Sequence, residues 1–233
     1  MNSPTGSPVS VLAIEQPTLP LLRSSTRKTN PAETRILDLL TSRLCHEMSG
    51  PIAAINNGIE LLAEEDPDFQ RDALALVGDS AHRASLQLQF YRFAYGYSHG
   101  GATVGAAPQD LANLFFAATR IACNYGETVR VLPLASQKLA CNLLLVGAEA
   151  LPRGGDLTIT HGPHGLDLQA VGDGVFLSSE IDAALLHEIP VAALTSRTVQ
   201  AYFTAILAEA LGCRLIRNTE TRRLRLSAVS STR

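Results

Sequence analysis

The sequence lacks any concentration of positive charge. Its 19 lysines and arginines are outnumbered by 22 acidic residues, for a formal net charge of -3, and the adjacent pair Arg222 and Arg223 near an expected strand is too thin to count as a basic patch. Gripping a phosphate backbone needs a focused positive field, so nucleic acid is excluded as the expected partner. Cysteine is sparse too. Cys45, Cys123, Cys141 and Cys213 form no CxxC pair, so neither a zinc site nor a redox motif can be read from them, and reduced, buried thiols are expected. No apolar run reaches the ~20 residues that a membrane-spanning helix requires, and no basic stretch followed by an apolar one opens the chain. A soluble, cytoplasmic protein with no membrane partner is expected. Charged residues make up only 18% of the chain against 46% apolar ones, which suits helices with wide apolar faces around ordinary cores. At 233 residues the length favours two small domains.

Residues 1–30 are rich in Ser, Thr and Pro (Pro4, Pro8, Pro17, Pro20, Ser24, Ser25, Thr26), a mix that predicts a disordered tail. At Asn30-Pro31 the pattern changes: Asn30 suits a helix cap, Pro31 the first helical position, and a helical period follows to about Glu65. Asp66-Pro67 repeats the signal ahead of a second helix over 68–97. So short a connection makes the helices antiparallel neighbours, a hairpin occupying 31–99. The segment His99-Gly100-Gly101-Ala102 is small and flexible and marks the boundary. Beyond it, over 103–233, helical stretches alternate with β-like runs at Thr128 to Leu132, Leu157 to Thr160 and Leu166 to Val171, and Leu194 to Leu211 reads as a helix. The fold class is therefore α+β. A lone hairpin exposes too much apolar surface, so two chains are expected to pair as a homodimer, making a four-helix bundle.

Within the first helix, Leu40, Leu44, Met48, Pro51, Ile55, Ile59 and Leu62 fall on one stripe at 100° per residue, the expected buried side. His46 lies roughly 160° to 200° from it, sharing its side with Leu39, Arg43, Gly50, Ala53 and Asn57. Gly50 and Ala53 carry almost no side chain, which lets another protein's backbone approach the imidazole, and Leu39 supplies an apolar contact one turn above. Pro51 has no amide hydrogen to give the Glu47 carbonyl, so the helix is expected to bend there. His82, His99, His161, His164 and His187 have no comparable setting; His161 and His164 sit in what reads as a hairpin turn.

The string Leu44-Cys45-His46-Glu47-Met48-Ser49-Gly50-Pro51-Ile52-Ala53-Ala54-Ile55 resembles the phosphoacceptor helix of sensor histidine kinases. Its continuation Asn56-Asn57-Gly58-Ile59-Glu60-Leu61-Leu62 is similar to the ChpT histidine phosphotransferases of alphaproteobacteria. The resemblance extends over about 200 of the 233 residues and implies that the second half is a histidine-kinase-type ATP-binding α/β sandwich. Its motifs are degenerate, however. Such kinases carry two asparagines four apart on one helix, the second holding magnesium; here Asn142 is followed by Val146, which offers no lone pair to a hard cation. The Asp-x-Gly-x-Gly motif, whose carboxylate takes the adenine amino group, is matched by Ala170-Val171-Gly172-Asp173-Gly174, with alanine in place of the carboxylate. Ser196-Arg197-Thr198-Val199 stands where a glycine-rich lid belongs. The pattern implies a fold kept as a scaffold or docking surface, with no cofactor of its own.

What the resemblance implies is a phosphorelay protein rather than an ATP-dependent kinase. His46 would take a phosphoryl group from the aspartyl phosphate of a receiver domain in a hybrid histidine kinase and pass it to the receiver aspartate of response regulators. A neutral imidazole is a competent nucleophile near neutral pH, and the receiver's own Mg2+ and lysine would compensate charge. Glu47 could fix the imidazole tautomer or be an ordinary exposed carboxylate. Arg43 could meet phosphate or the receiver's acidic rim, or be solvated, and Asn57 is a weaker contact. Kinases that also act as phosphatases carry Thr or Asn four residues after the histidine; Gly50 occupies that position here. Two other readings stay open: a divergent kinase that still uses ATP, and a kinase-like adaptor that binds receivers without accepting phosphate.

Overall fold

A computed structural model describes residues 30–64, 66–96 and 106–230. Two long helices come first, α1 (Pro31–Leu61) and α2 (Pro67–Tyr95). Both begin as the sequence predicts. The Asn30 side chain accepts from the Ala32 amide at 3.1 Å and Asp66 from the Asp68 amide at 2.9 Å, with proline at the start of each helix, so orphan amides at each N-terminus are satisfied. Helix α1 runs unbroken through Pro51. The two helices pack side by side as a hairpin, closest where Gly58 of α1 lies against Ala73 and Val77 of α2.

The expected buried stripe on α1 is divided in two. Leu40 is buried and Leu44, Met48, Pro51, Ile55 and Leu62 half-buried, but Ile59 is 54% exposed, as is Ile52 at 49%. On α2, Leu74, Ala81 and Leu88 are exposed at seven-residue spacing. Buried Gly58, outside the predicted stripe, makes the contact with α2 instead.

The remainder is a five-stranded sheet with helices against one face. In chain order it contains α3 (Pro108–Ala117), β1 (Ile121–Tyr125), α4 (Glu127–Arg130), α5 (Leu134–Glu149), β2 (Gly155–Gly162), β3 (Gly165–Val171), α6 (Ser179–Leu185), a 3-10 turn (Val191–Ala193), α7 (Val199–Ala210), β4 (Cys213–Glu220) and β5 (Arg223–Ser230). Strand order is β1-β2-β3-β5-β4; β1 runs parallel to β2 and the other pairs are antiparallel. Strands β2, β3 and β5 alternate buried and outward positions, Leu157, Ile159, Leu166, Leu168, Leu224 and Leu226 facing the helices, as a half-buried sheet requires. Helix α5 is buried along almost its whole length, from Leu139 to Gly147.

Three expectations are revised. Thr128 to Leu132 is not a strand: residues 127–130 form a helical turn that buries Val129, and the Thr128 hydroxyl accepts from the His161 amide at 2.9 Å. Packing overrides the β propensity of Thr and Val there, and the strand lies earlier, in β1. The helix predicted from Leu194 starts at Val199, after a turn in which the Thr195 and Thr198 side chains bond each other and the backbone. Of the cysteines only Cys141 is fully buried, while Cys45 is exposed. The tail 1–29 and the expected boundary at 99–102 fall outside the described residues. His161 and His164 flank the β2–β3 turn, as expected.

Candidate functional site: the exposed face of the first helix

His46 sits on α1, exposed, with no hydrogen bond among the described residues. Gly50, Ala53 and Asn57, one to three turns further, are exposed on the same side, and a side chain added at Gly50 would meet nothing within 4 Å. Toward the N-terminus the face continues as a shallow groove lined by Thr34, Arg35, Asp38, Leu39 and Ser42. Leu39 itself is half-buried, packed against the apolar core.

Arg43 is not on the open face. Its guanidinium lies 2.6 Å from the Glu149 carboxylate at the end of α5 and donates to the Ser196 carbonyl at 3.3 Å, with side-chain exposures of 13% for Arg43 and 17% for Glu149. The expectation that Arg43 is free for phosphate or a receiver is corrected: the α/β unit has claimed it. Glu47, one turn on from Arg43, is half-buried, and its charge acts on Arg43, Tyr91, Tyr95 and Glu149; no hydrogen bond joins it to His46 among the described residues. Burial raises the Glu149 carboxyl above the usual carboxylate range although Arg43 opposes it. Burial pulls Arg43 down, but Glu149, Tyr95, Tyr91 and Glu47 outweigh that and leave it raised. The Tyr95 hydroxyl, also buried, is pushed up to about 12. The sequence held one hint of this cluster: Glu149 is the only acidic residue in apolar α5.

The second candidate region is the stretch that the sequence resemblance aligns with a kinase nucleotide site: Asn142, Val146, Ala170 and the Gly172–Gly174 turn. Asn142 is wholly buried, and both its N–H groups and its oxygen are bonded. Its amide nitrogen donates to the carbonyls of Ala94 on α2 and Lys138, each at 2.9 Å, while its oxygen accepts from Gln200 of α7 at 3.0 Å. Gln200 in turn accepts from the Tyr95 hydroxyl at 2.6 Å. Val146 and Ala170, which the resemblance aligns with kinase metal and adenine contacts, are both wholly buried in the core. Gly172 and Gly174 belong to the turn that ends β3; a side chain at Gly172 would strike the Gly154 carbonyl at 2.7 Å, and Gly174 has φ of 70°, which favours glycine. Among the described residues no three His, Cys, Asp or Glu side chains gather as a metal site.

The molecule thus presents an exposed histidine on a two-helix stem beside a five-stranded α/β unit. Residues 106–222 match the family model described as histidine phosphotransferase C-terminal domain. The chain belongs to the histidine phosphotransferase family. It is 36% identical over 184 residues to the protein phosphotransferase ChpT of Brucella abortus (strain 2308), covering 76% of this chain and 87% of that one. It also matches a solved bacterial phosphotransferase with a TM-score of 0.73 and 33% identity over 84% of this chain and 96% of the other. The family's role is phosphoryl relay, and the α+β architecture predicted from sequence is the one observed.

Proposed function

We propose that His46 is the phosphoryl carrier of a cytoplasmic relay that uses no ATP. The carrying observation is the uncovered imidazole on α1 with clear space at Gly50 and Ala53 beside it. A receiver domain docks on this face through Gly50, Ala53 and Asn57, with Leu39 at its edge. A ring nitrogen of His46 attacks the phosphorus of the receiver's aspartyl phosphate. The N–P bond forms as the carboxylate O–P bond breaks, and the electron pair leaves with the aspartate. Transfer to a second receiver reverses these bonds. Catalysis is mostly positioning and charge compensation; the receiver supplies Mg2+, and this chain supplies the aligned imidazole. Glu47 adds negative charge beside Arg43 and keeps that side of the helix polar.

ATP independence is supported by Asn142, whose amide is engaged by Ala94, Lys138 and Gln200, and by apolar Val146 and Ala170 at the positions that the resemblance aligns with metal and adenine contacts. A homodimer is supported by the exposed seven-residue ladders Ile52, Ile59 and Leu74, Ala81, Leu88, the spacing at which two hairpins interlock. No described helix is long and apolar enough to cross a membrane.

The test is direct. A receiver domain carrying radiolabelled aspartyl phosphate, mixed with the protein, should pass label to it in an acid-labile, alkali-stable form, and His46→Ala should abolish transfer. Labelling from ATP and magnesium without any receiver would overturn the reading.

A further inference from the structure

The α/β unit is tied to the hairpin by polar side chains reaching both helices. From α1, Arg35 donates to the carbonyls of Val191 at 3.0 Å and Leu194 at 2.9 Å, and two turns later Arg43 meets Ser196 and Glu149. From α2, the Ala94 carbonyl accepts from Asn142 and Tyr95 donates to Gln200. Attachments on two different helices leave no single axis about which the unit can swing. The Arg43 tie lies nearest the imidazole, one helical turn from His46.

Adhesion alone does not explain a charged pair at that point. Apolar side chains of similar volume hold buried surfaces together at least as well as an ion pair, because both charges lose their water. The cost is visible here: Arg43 Nε and, despite its 2.6 Å approach to the guanidinium, Glu149 Oε1 are buried without an aligned hydrogen-bond partner among the described residues, and the Glu149 carboxyl resists ionisation. What the pair adds is direction. A guanidinium fork takes a carboxylate on one nitrogen and the Ser196 carbonyl on the other in few orientations. Thr195, Ser196 and Arg197 are exposed, so whatever fixes Ser196 against α1 fixes the neighbouring edge of the α/β unit relative to His46.

The geometry points to Arg43 as a positioning residue for phosphotransfer: by pairing with Glu149 and Ser196 it holds the Thr195–Arg197 edge against α1 one turn before His46, so that a receiver meets helix and edge in one register. This deepens the relay reading and rests on it. Arg43 touches neither phosphate nor imidazole. It acts through the placement of the α/β unit, and a small misplacement of reacting groups is enough to slow transfer severely.

The experiment compares the full-length protein with Arg43→Met/Glu149→Leu and Arg43→Lys. Each is measured for melting temperature, for loading of His46 by phosphoramidate, and for single-turnover transfer to a panel of receiver domains from the same organism. The apolar double variant is expected to melt at or above the wild-type temperature and load from phosphoramidate at the wild-type rate, yet transfer to the receiver at least tenfold more slowly. Arg43→Lys keeps charge and bulk but loses the fork, and is expected to slow transfer severalfold with little change in melting. Transfer within twofold of wild type by either variant overturns the proposal, and Arg43→Lys decides the matter if the double variant folds poorly. Wild-type protein that loads from phosphoramidate but transfers to no receiver overturns the relay reading and this inference with it, a pattern distinct from failure of the variants alone.

Discussion

Replacing Gly58 with alanine tests how closely the hairpin helices must approach. A Cβ at this position would stand 2.6 Å from Val77 Cγ2 and 3.2 Å from the Ala73 carbonyl oxygen. Relief to ordinary contact requires about 1 Å of movement, since carbon atoms settle at ~3.5–4.0 Å. Val77 is β-branched and stiff on a helix, so the backbones have to part. Overpacking of this kind costs about 1–3 kcal/mol, while alanine regains about 1 kcal/mol over glycine in a helix interior. The net expectation for Gly58→Ala is a loss of up to ~2 kcal/mol, or up to about 4–8 °C in melting temperature for a protein of this size. Gly58→Ala/Val77→Ala removes the clashing methyl, so the same substitution in the Val77→Ala background should become neutral or stabilising. Urea unfolding at fixed protomer concentration, with the four members of the cycle compared at constant m value, reads this coupling. A Gly58→Ala protein more stable than wild type by the full helix-propensity gain would refute the close crossing and the helix arrangement that turns His46 outward.

Three further outcomes follow from other parts of the molecule. Ile52→Glu/Ile59→Glu places charges on the proposed dimer face, where each buried isoleucine is worth about 1.5–3 kcal/mol; sedimentation should show a folded monomer where wild type is a dimer, and an unchanged dimer would remove those residues from the interface. Glu149 has a carboxyl raised by burial, so its acid form is the one folding favours: its contribution to stability is complete below the ordinary carboxylate pKa and is lost as pH rises through the raised value. Wild type should therefore lose stability relative to Glu149→Gln between acid and neutral pH, whereas a constant difference would contradict the burial effect. Val146→Asn restores the amide that a kinase carries but puts it at a wholly buried position, where an unpartnered amide costs about 1–3 kcal/mol; calorimetry with magnesium nucleotide should detect no binding, and the midpoint of unfolding should fall.

How much was legible in the sequence depended on whether the signal was local. Helix starts at Asn30-Pro31 and Asp66-Pro67 were readable because cap and proline act within one turn, and β2 and β3 because alternation is a period of two within one strand. His46 was placed outward correctly from the helical wheel. The burial of Arg43 was not readable, since its partner Glu149 lies on another element more than one hundred residues away. The apolar stripe of α1 was assigned to one burial partner, but hydrophobic period does not distinguish packing inside a hairpin from a face left for a second chain. Gly58 offered a signal that went unused: a glycine inside a long helical pattern costs stability unless close packing requires it.

Asn142 ties three helices of the molecule together. A buried asparagine must find partners or destabilise the core. Here Gln200 from α7 supplies one, and the Ala94 carbonyl at the end of α2 another. Tyr95 extends the network by bonding Gln200, while its ring packs edge-on against Phe203 at 6.0 Å. A residue that corresponds to a nucleotide contact by sequence thus serves as a joint between α2, α5 and α7. Asn142→Ala measures the strength of the joint: it leaves the Ala94 carbonyl without its side-chain donor, at about 1–3 kcal/mol, and takes one of two acceptors from the Gln200 amide, which keeps the Thr204 hydroxyl at 3.3 Å. Hydrogen exchange should then speed up at the C-terminal turns of α2 and the first turns of α7 while α1 around His46 stays protected. Uniform exchange across all three would mean that the network is not what couples the hairpin to the sheet.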